Sequence, residues 1–144
     1  MSVRFAKVSA AMFVLLVASI VAAADKGGLP DLISTLYSFP GGDKLGHFLL
    51  MGTMSFLINF SLGAPSPSQE LPKVVKATIV IVLLVTLEEI SQLWFRTRTF
   101  SFWDLSSSYL GVYCGLTLAL FARRTLQRRL ASASVAHESP STLA

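Results

Sequence analysis

Four apolar segments dominate this chain, and each is about as long as a helix that crosses a membrane. In chain order they cover residues 8–24, 45–62, 74–95 and 102–122. An α-helix rises about 1.5 Å per residue, so roughly 20 residues reach across the hydrocarbon core of a bilayer. The third segment opens with a β-branched run that could form a buried strand, but its length favours a membrane helix. The sequence therefore predicts an all-α fold, an integral membrane bundle of four transmembrane helices.

The composition supports the same class of protein. Apolar residues make up 53% of the chain, charged residues only 14%, and the mean hydropathy is +0.63. Soluble domains carry about 25% charged residues. The net charge of +4 does not indicate nucleic-acid binding, because the basic residues flank apolar segments and form no basic stripe. We therefore expect the lipid bilayer to be a partner and nucleic acid not to be one.

The basic residues are unevenly distributed between the two sides of the predicted bundle. If both termini are cytoplasmic, most lysines and arginines lie in the cytoplasm, as the positive-inside rule requires. These cytoplasmic residues are Arg4, Lys7, Lys73, Lys76, Arg123, Arg124, Arg128 and Arg129. The orientation is therefore predicted to be N-in and C-in.

The two ends of the chain differ from its centre. Residues 1–24 are either a cleaved signal peptide or an uncleaved first span, and we favour the span. Residues 25–122 form the membrane domain, in which 25–43 predict a surface loop with a short amphipathic helix. Residues 123–144 predict a basic, disordered cytoplasmic tail.

Polar and charged side chains gather at the outer ends of three predicted spans. An even number of membrane crossings separates them, so all of them fall on the same side. A charge in or beside a membrane span is costly and usually has a partner or a function. The candidate ligand-binding residues are Asp43, Lys44, His47, Glu89, Gln92, Arg96, Arg98, Asp104 and Ser108.

Helical spacing orders part of this set. Glu89, Gln92 and Arg96 recur at intervals that place them on one helix face, whereas Glu88 points about 100° away from Glu89. We therefore expect Glu89 to face inward, with the arginines, Lys44 and His47 as its natural partners. Asp43 stands where it could cap the second span.

Three interpretations of the polar residues remain open. Arginines recognise phosphate or carboxylate groups, which favours an anionic ligand. A histidine beside carboxylates can serve acid–base catalysis, which makes His47 and Glu89 catalytic candidates in an enzyme acting on a lipid headgroup. A polar network that only fixes helix packing is the third. No nucleophile motif, zinc spacing or glycine-rich phosphate loop occurs, so no metal or cofactor is predicted.

Four short motifs resemble the VanZ-like family of small multi-pass bacterial membrane proteins. They are Asp43-Lys44-x-x-His47, Glu89-x-x-Gln92, Arg98-x5-Asp104 and Gly111-x3-Gly115. The resemblance spans about residues 40–116 and is carried by their order and spacing. It implies a helical inner-membrane protein without an established activity, in a family named after a member associated with teicoplanin resistance.

One position departs from the family pattern. Ser108 stands where the family usually has an asparagine four residues after the aspartate. Serine can still donate and accept a hydrogen bond, but it is shorter and has one donor fewer. Our first hypothesis is a non-enzymatic envelope protein that binds an anionic lipid-linked or cell-wall ligand at its outer face through Arg98, Lys44 and His47.

Overall fold

The computed structural model describes most of the chain. The described residues are 3–27, 39–62, 67–95 and 99–138. Arg96, Arg98 and most of the short amphipathic helix predicted within 25–43 lie outside them. Within the described residues every regular element is helical, which confirms the all-α prediction.

Over the described ranges the fold consists of four long helices and one short 3-10 turn. The helices are α1 (Val3–Asp25), α2 (Gly42–Ser61), α3 (Pro67–Ser91) and α4 (Phe102–Glu138), and the 3-10 turn (Gln92–Trp94) follows α3. Helix α4 continues past the predicted span end at Ala122 into the segment predicted to be disordered. Arginine, leucine, glutamine and alanine, which are strong helix formers, dominate the first part of that extension.

Helices α2 and α4 form the most extensive contact in the structure. They run parallel, since the start of α2 lies beside the start of α4 and its end lies beside Arg123. Helix α1 packs on α2, and α3 makes smaller contacts with both α4 and α2. The buried apolar core joins all four helices through Val17, Met51, Met54, Ile81, Val85 and Val112.

Three glycines allow α2 and α4 to approach each other closely. A Cβ atom at Gly115 would collide with the backbone oxygen of Gly52, and one at Gly111 with the backbone oxygen of Phe48. At Gly52 an added Cβ would come 3.2 Å from the oxygen of Gly111. The Gly111-x3-Gly115 motif therefore serves helix packing, as small residues at this spacing do in membrane helices.

Two of the four helices are long and apolar enough to cross a membrane by length and composition. They are Arg4–Asp25 of α1 and Phe102–Ala133 of α4. Only 17% and 28% of their most apolar windows are buried, so these helices expose apolar surface instead of forming a soluble core. Charged side chains near the ends of α2 and α3 lower the apolar character of those two helices. The four-span topology and the cytoplasmic termini remain predictions.

Candidate functional site

The first turn of α2 supplies an ion pair at the surface of the site. Lys44 Nζ lies 2.8 Å from Asp43 Oδ2 and 3.3 Å from Asp104 Oδ1 of α4. The hydrogen bond from Lys44 lowers the pKa of the Asp43 carboxyl, and the same bond raises the pKa of Lys44. Both side chains are about two-fifths exposed, and both are charged at neutral pH.

The predicted capping role of Asp43 is wrong. Helix α2 begins earlier than expected, at Gly42, and its N-cap is Gly41, which adopts a left-handed conformation with φ 84° and makes no side-chain cap bond. Asp43 therefore lies inside the first turn, and its carboxylate is free to pair with Lys44. Glycine suits a positive φ because it has no Cβ atom.

Ser101 caps the start of α4 and was not among the predicted site residues. The amide N–H of Asp104 donates to Ser101 Oγ at 3.3 Å, which is the bond between an N-cap side chain and the third helical residue. The Ser101-x-x-Asp104 spacing is a capping-box signature and could have revealed this role from the sequence. The cap places Asp104 in the first turn of α4, facing Lys44.

Glu89 is the most deeply buried carboxylate of the site. Its residue is 1% exposed, whereas Glu88 is half-buried, so the expectation that Glu89 faces inward is confirmed. Gln92 Nε2 donates to Glu89 Oε2 at 3.0 Å, and the amide N–H of Ser101 donates to Glu89 Oε1 at 2.9 Å. Gln92 Nε2 also lies 3.2 Å from Glu88 Oε1. Both oxygens of the Glu89 carboxylate therefore accept hydrogen bonds.

The hydrogen-bond partners of Glu89 differ in kind from the cations expected. Among the described residues its donors are neutral amides, those of the Gln92 side chain and the Ser101 backbone. Helix α3 ends at Ser91 and a 3-10 turn follows, so the helical stripe that contains Glu89 and Gln92 ends before Arg96. The amide of Ser101 enters the site because the chain returns toward α3 at the start of α4.

His47 joins α2 to α4 at the same end. Its Nδ1 lies 3.2 Å from Ser108 Oγ, and Ser108 is 1% exposed. The serine therefore fulfils a hydrogen-bonding role at the position where the family resemblance leads us to expect asparagine. His47 itself is half-buried.

The structure thus brings together seven of the nine predicted site residues, and we call them the polar cluster: Asp43, Lys44, His47, Glu89, Gln92, Asp104 and Ser108. Arg96 and Arg98 are the two that lie outside the described residues. Among the described side chains, no group of histidine, cysteine and carboxylates is arranged to hold a metal ion.

The Asp104 carboxylate has unused hydrogen-bonding capacity. Its Oδ1 atom is buried and accepts no hydrogen bond from the described residues. The 3.3 Å approach of Lys44 Nζ to this oxygen is therefore an ion pair without hydrogen-bond geometry. Buried acceptors normally have a donor, and Lys44 supplies the positive charge beside this one.

A second buried polar group lies at the opposite end of α2. Ser55 Oγ donates to the Val112 carbonyl at 2.8 Å, and Asn59 Nδ2 donates to the Ser55 carbonyl at 3.0 Å. Arg123 Nη1 donates to the Asn59 carbonyl at 3.3 Å, and Arg123 is only 6% exposed. Arg123 therefore binds near the carbonyl end of α2, where the helix dipole favours a cation. The sequence suggested only a cytoplasmic anchor for this arginine.

No protein-family model, curated protein or solved structure matches this chain. The VanZ-like resemblance therefore remains a prediction carried by the four motifs, and the function is inferred from the site itself.

Proposed function

We propose that this chain is a multi-pass protein of the bacterial inner membrane, with four spans and both termini in the cytoplasm. Its polar cluster binds an anionic lipid-linked or cell-wall ligand at the outer face. The VanZ-like resemblance links this proposal to resistance against glycopeptides such as teicoplanin. The exposed apolar surfaces of α1 and α4 support membrane insertion, because such surfaces are unfavourable in water.

One observation carries the binding proposal: the part-exposed Lys44 ammonium stands beside an Asp104 oxygen that accepts no hydrogen bond from the described residues. Lys44 can direct a further N–H bond toward solvent, and Asp104 Oδ1 can accept a bond beside it. A ligand with a phosphate or carboxylate next to a hydroxyl or amine matches this pair. An unsatisfied buried acceptor costs about 1–3 kcal/mol, so a ligand donor at Asp104 adds to the affinity.

The charge balance shows what else an anionic ligand requires. Lys44 is the cation that pairs within the described polar cluster, and Asp43, Glu89 and Asp104 supply carboxylates around it. An anion therefore needs positive charge beyond Lys44. Arg98, which the sequence places between the 3-10 turn and α4, is our proposed source because guanidinium groups bind phosphate in a bidentate manner.

Ligand binding fits this geometry better than acid–base catalysis by His47 and Glu89. A general acid or base must come within about 3 Å of a substrate atom. Glu89 is 1% exposed and both of its oxygens already accept hydrogen bonds, so a substrate would have to displace Gln92 or Ser101 to reach it. These contacts favour a positioning role for Glu89 beneath the Lys44–Asp104 pair.

The test is direct binding to the full chain in nanodiscs. The probes are a polyprenyl phosphate, phosphatidylglycerol as an anionic phospholipid, and inorganic phosphate as the unattached anion. We expect Lys44→Gln to weaken binding of the preferred lipid at least tenfold, since a charge-assisted hydrogen bond contributes about 1.5–3 kcal/mol and about 1.4 kcal/mol is a factor of ten. Lys73→Gln removes an equal charge at the end of α3 that is far from the polar cluster. This variant should bind the lipid within twofold of the wild-type affinity.

Two results would contradict the proposal. One is equal lipid binding by wild type and Lys44→Gln. The other is unchanged binding in Arg98→Ala, because that arginine is the proposed second cation. In cells, Arg98→Ala and His47→Ala should alter teicoplanin susceptibility without lowering the amount of folded protein.

A further inference from the structure

Both tryptophans of the chain lie at the same end of the structure and are highly exposed. Trp94 ends the 3-10 turn and is 76% exposed, and Trp103 in the first turn of α4 is 73% exposed. Phe102 beside it is 72% exposed. We call Trp94, Phe102 and Trp103 the aromatic collar.

The aromatic collar lies directly beside the polar cluster in the chain. Buried Gln92 is followed two residues later by exposed Trp94, and exposed Trp103 is followed by buried Asp104. Polar side chains at this level therefore pair inward while large aromatic rings point outward. Tryptophan is enriched where one part of a ring needs apolar surroundings and its N–H needs a polar partner, as at membrane–water interfaces.

The spacing of aromatic and basic residues matches the thickness of a bilayer on two separate helices. Along α4, Trp103 and exposed Arg124 are roughly 30 Å apart at about 1.5 Å per residue. Trp94 and Lys73 are also roughly 30 Å apart along α3 and the turn that follows it. The hydrocarbon core of a typical bilayer is about 30 Å thick. Both helices thus carry tryptophan at one boundary and a basic residue at the other.

We propose that the aromatic collar docks into the headgroup region of the outer leaflet and sets the depth of the polar cluster. This inference rests on the membrane insertion assumed in the proposed function. The occupant of the collar is phospholipid, because further exposed apolar side chains, among them Leu110 and Leu118, follow the collar along α4. The pair formed by Lys44 and Asp104 then meets the headgroups, so the ligand's charged part is bound at headgroup level.

The same depth places the C-terminal part of α4 beyond the opposite boundary of the membrane. If exposed Arg124 lies at the inner headgroups, the part of α4 from Thr125 to Glu138 projects roughly 20 Å beyond the membrane. Leu130 is exposed on that projecting part, and Leu84 is exposed near the middle of α3. These two positions therefore serve as depth markers in water and in the bilayer centre.

The experiment measures tryptophan fluorescence of the full chain in phosphatidylcholine vesicles. Three quenchers are compared: bromine near the carboxyl end of the acyl chain, bromine near its methyl end, and aqueous iodide. Trp94→Phe and Trp103→Phe leave one native emitter each. Leu84→Trp and Leu130→Trp, each made in the double Trp→Phe background, provide the matched depth markers.

We expect both native tryptophans to be quenched at least twofold more by shallow bromine than by deep bromine or iodide. The Leu84→Trp marker should respond most to deep bromine, and the Leu130→Trp marker to iodide alone. Strong iodide quenching of both native emitters would overturn the proposal and indicate a water-exposed or protein-covered surface. Predominant quenching by deep bromine would overturn it as well, since the collar would then lie inside the hydrocarbon.

The wild-type protein, which needs no substitution, gives the primary result, so a poorly folding variant does not prevent the test. No ligand is present in this measurement. Failure of the depth assignment is therefore distinguishable from failure of ligand binding, which the Lys44→Gln comparison measures separately.

Discussion

The close approach of α2 and α4 makes a graded prediction for three glycine-to-alanine substitutions. Gly115→Ala would place a methyl group into the backbone oxygen of Gly52, with the amide nitrogen of Phe56 at 2.9 Å. Gly111→Ala collides in the same way with a backbone carbonyl of α2. Gly52→Ala is milder, because its nearest neighbour would lie at 3.2 Å.

Two opposing effects set the change in the free energy of unfolding for each substitution. Replacing glycine by alanine within a helix stabilises it by about 1 kcal/mol. Overpacking usually costs about 1–3 kcal/mol, and a backbone carbonyl cannot rotate away as a side chain can. For Gly115→Ala and Gly111→Ala we therefore expect a net loss of about 1–2 kcal/mol. For Gly52→Ala the two effects nearly cancel, and the free energy of unfolding should stay within about 0.5 kcal/mol of wild type.

The assay is equilibrium unfolding of the full chain in detergent micelles with increasing sodium dodecyl sulfate. Reaction of Cys114, the sole cysteine, with a thiol-reactive dye reports the loss of packing beside α2. Tryptophan fluorescence gives a second readout at another place in the structure, because Trp103 lies about three turns before Gly115 and Trp94 precedes α4. A Gly115→Ala protein as stable as wild type would refute the close helix contact. So would a larger loss in Gly52→Ala than in Gly115→Ala.

Two further substitutions test the site end of α4 in the same unfolding assay. Ser101→Ala removes the cap bond to the Asp104 amide and should destabilise the protein by about 1 kcal/mol, whereas Ser106→Ala, which removes an exposed bond within α4, should change little. A loss no larger than that of Ser106→Ala would exclude the cap. Glu89→Ala leaves the Ser101 amide without its acceptor, at about 1–3 kcal/mol, and removes the Glu89 oxygen that accepts from Gln92, so it should cost clearly more than Glu88→Ala. Equal losses from the two glutamate variants would contradict the buried position of Glu89.

Local spacing predicted the site well wherever one helix carries both members of a pair. Glu89 and Gln92 are three residues apart, and their hydrogen bond follows from helical geometry alone. The inward direction of Glu89 relative to Glu88 follows from the same angle. The prediction for Asp43 was wrong because a cap depends on the residue at which the helix begins, and helix boundaries are poorly determined by sequence pattern.

Contacts between helices were predicted less completely. The sequence placed His47 and Ser108 on one side of the membrane but could not pair them. It also assigned Arg123 to the cytoplasmic surface, whereas the structure buries it against the end of α2. Such contacts depend on which faces of two helices meet and at what height, and residues far apart in the chain carry no periodic signal for that.

The sequence by itself determined the all-α class of the fold, because the length of the apolar segments and the helical spacing within them follow from backbone geometry. It also determined which polar residues share a helix face. The tertiary structure decided how those faces combine. The glycines bring the α2 and α4 backbones together at one height, so His47 meets Ser108 and Lys44 meets Asp104. The return of the chain at Ser101 then supplies the backbone amide that holds Glu89, and a backbone amide has no signature in the side-chain sequence.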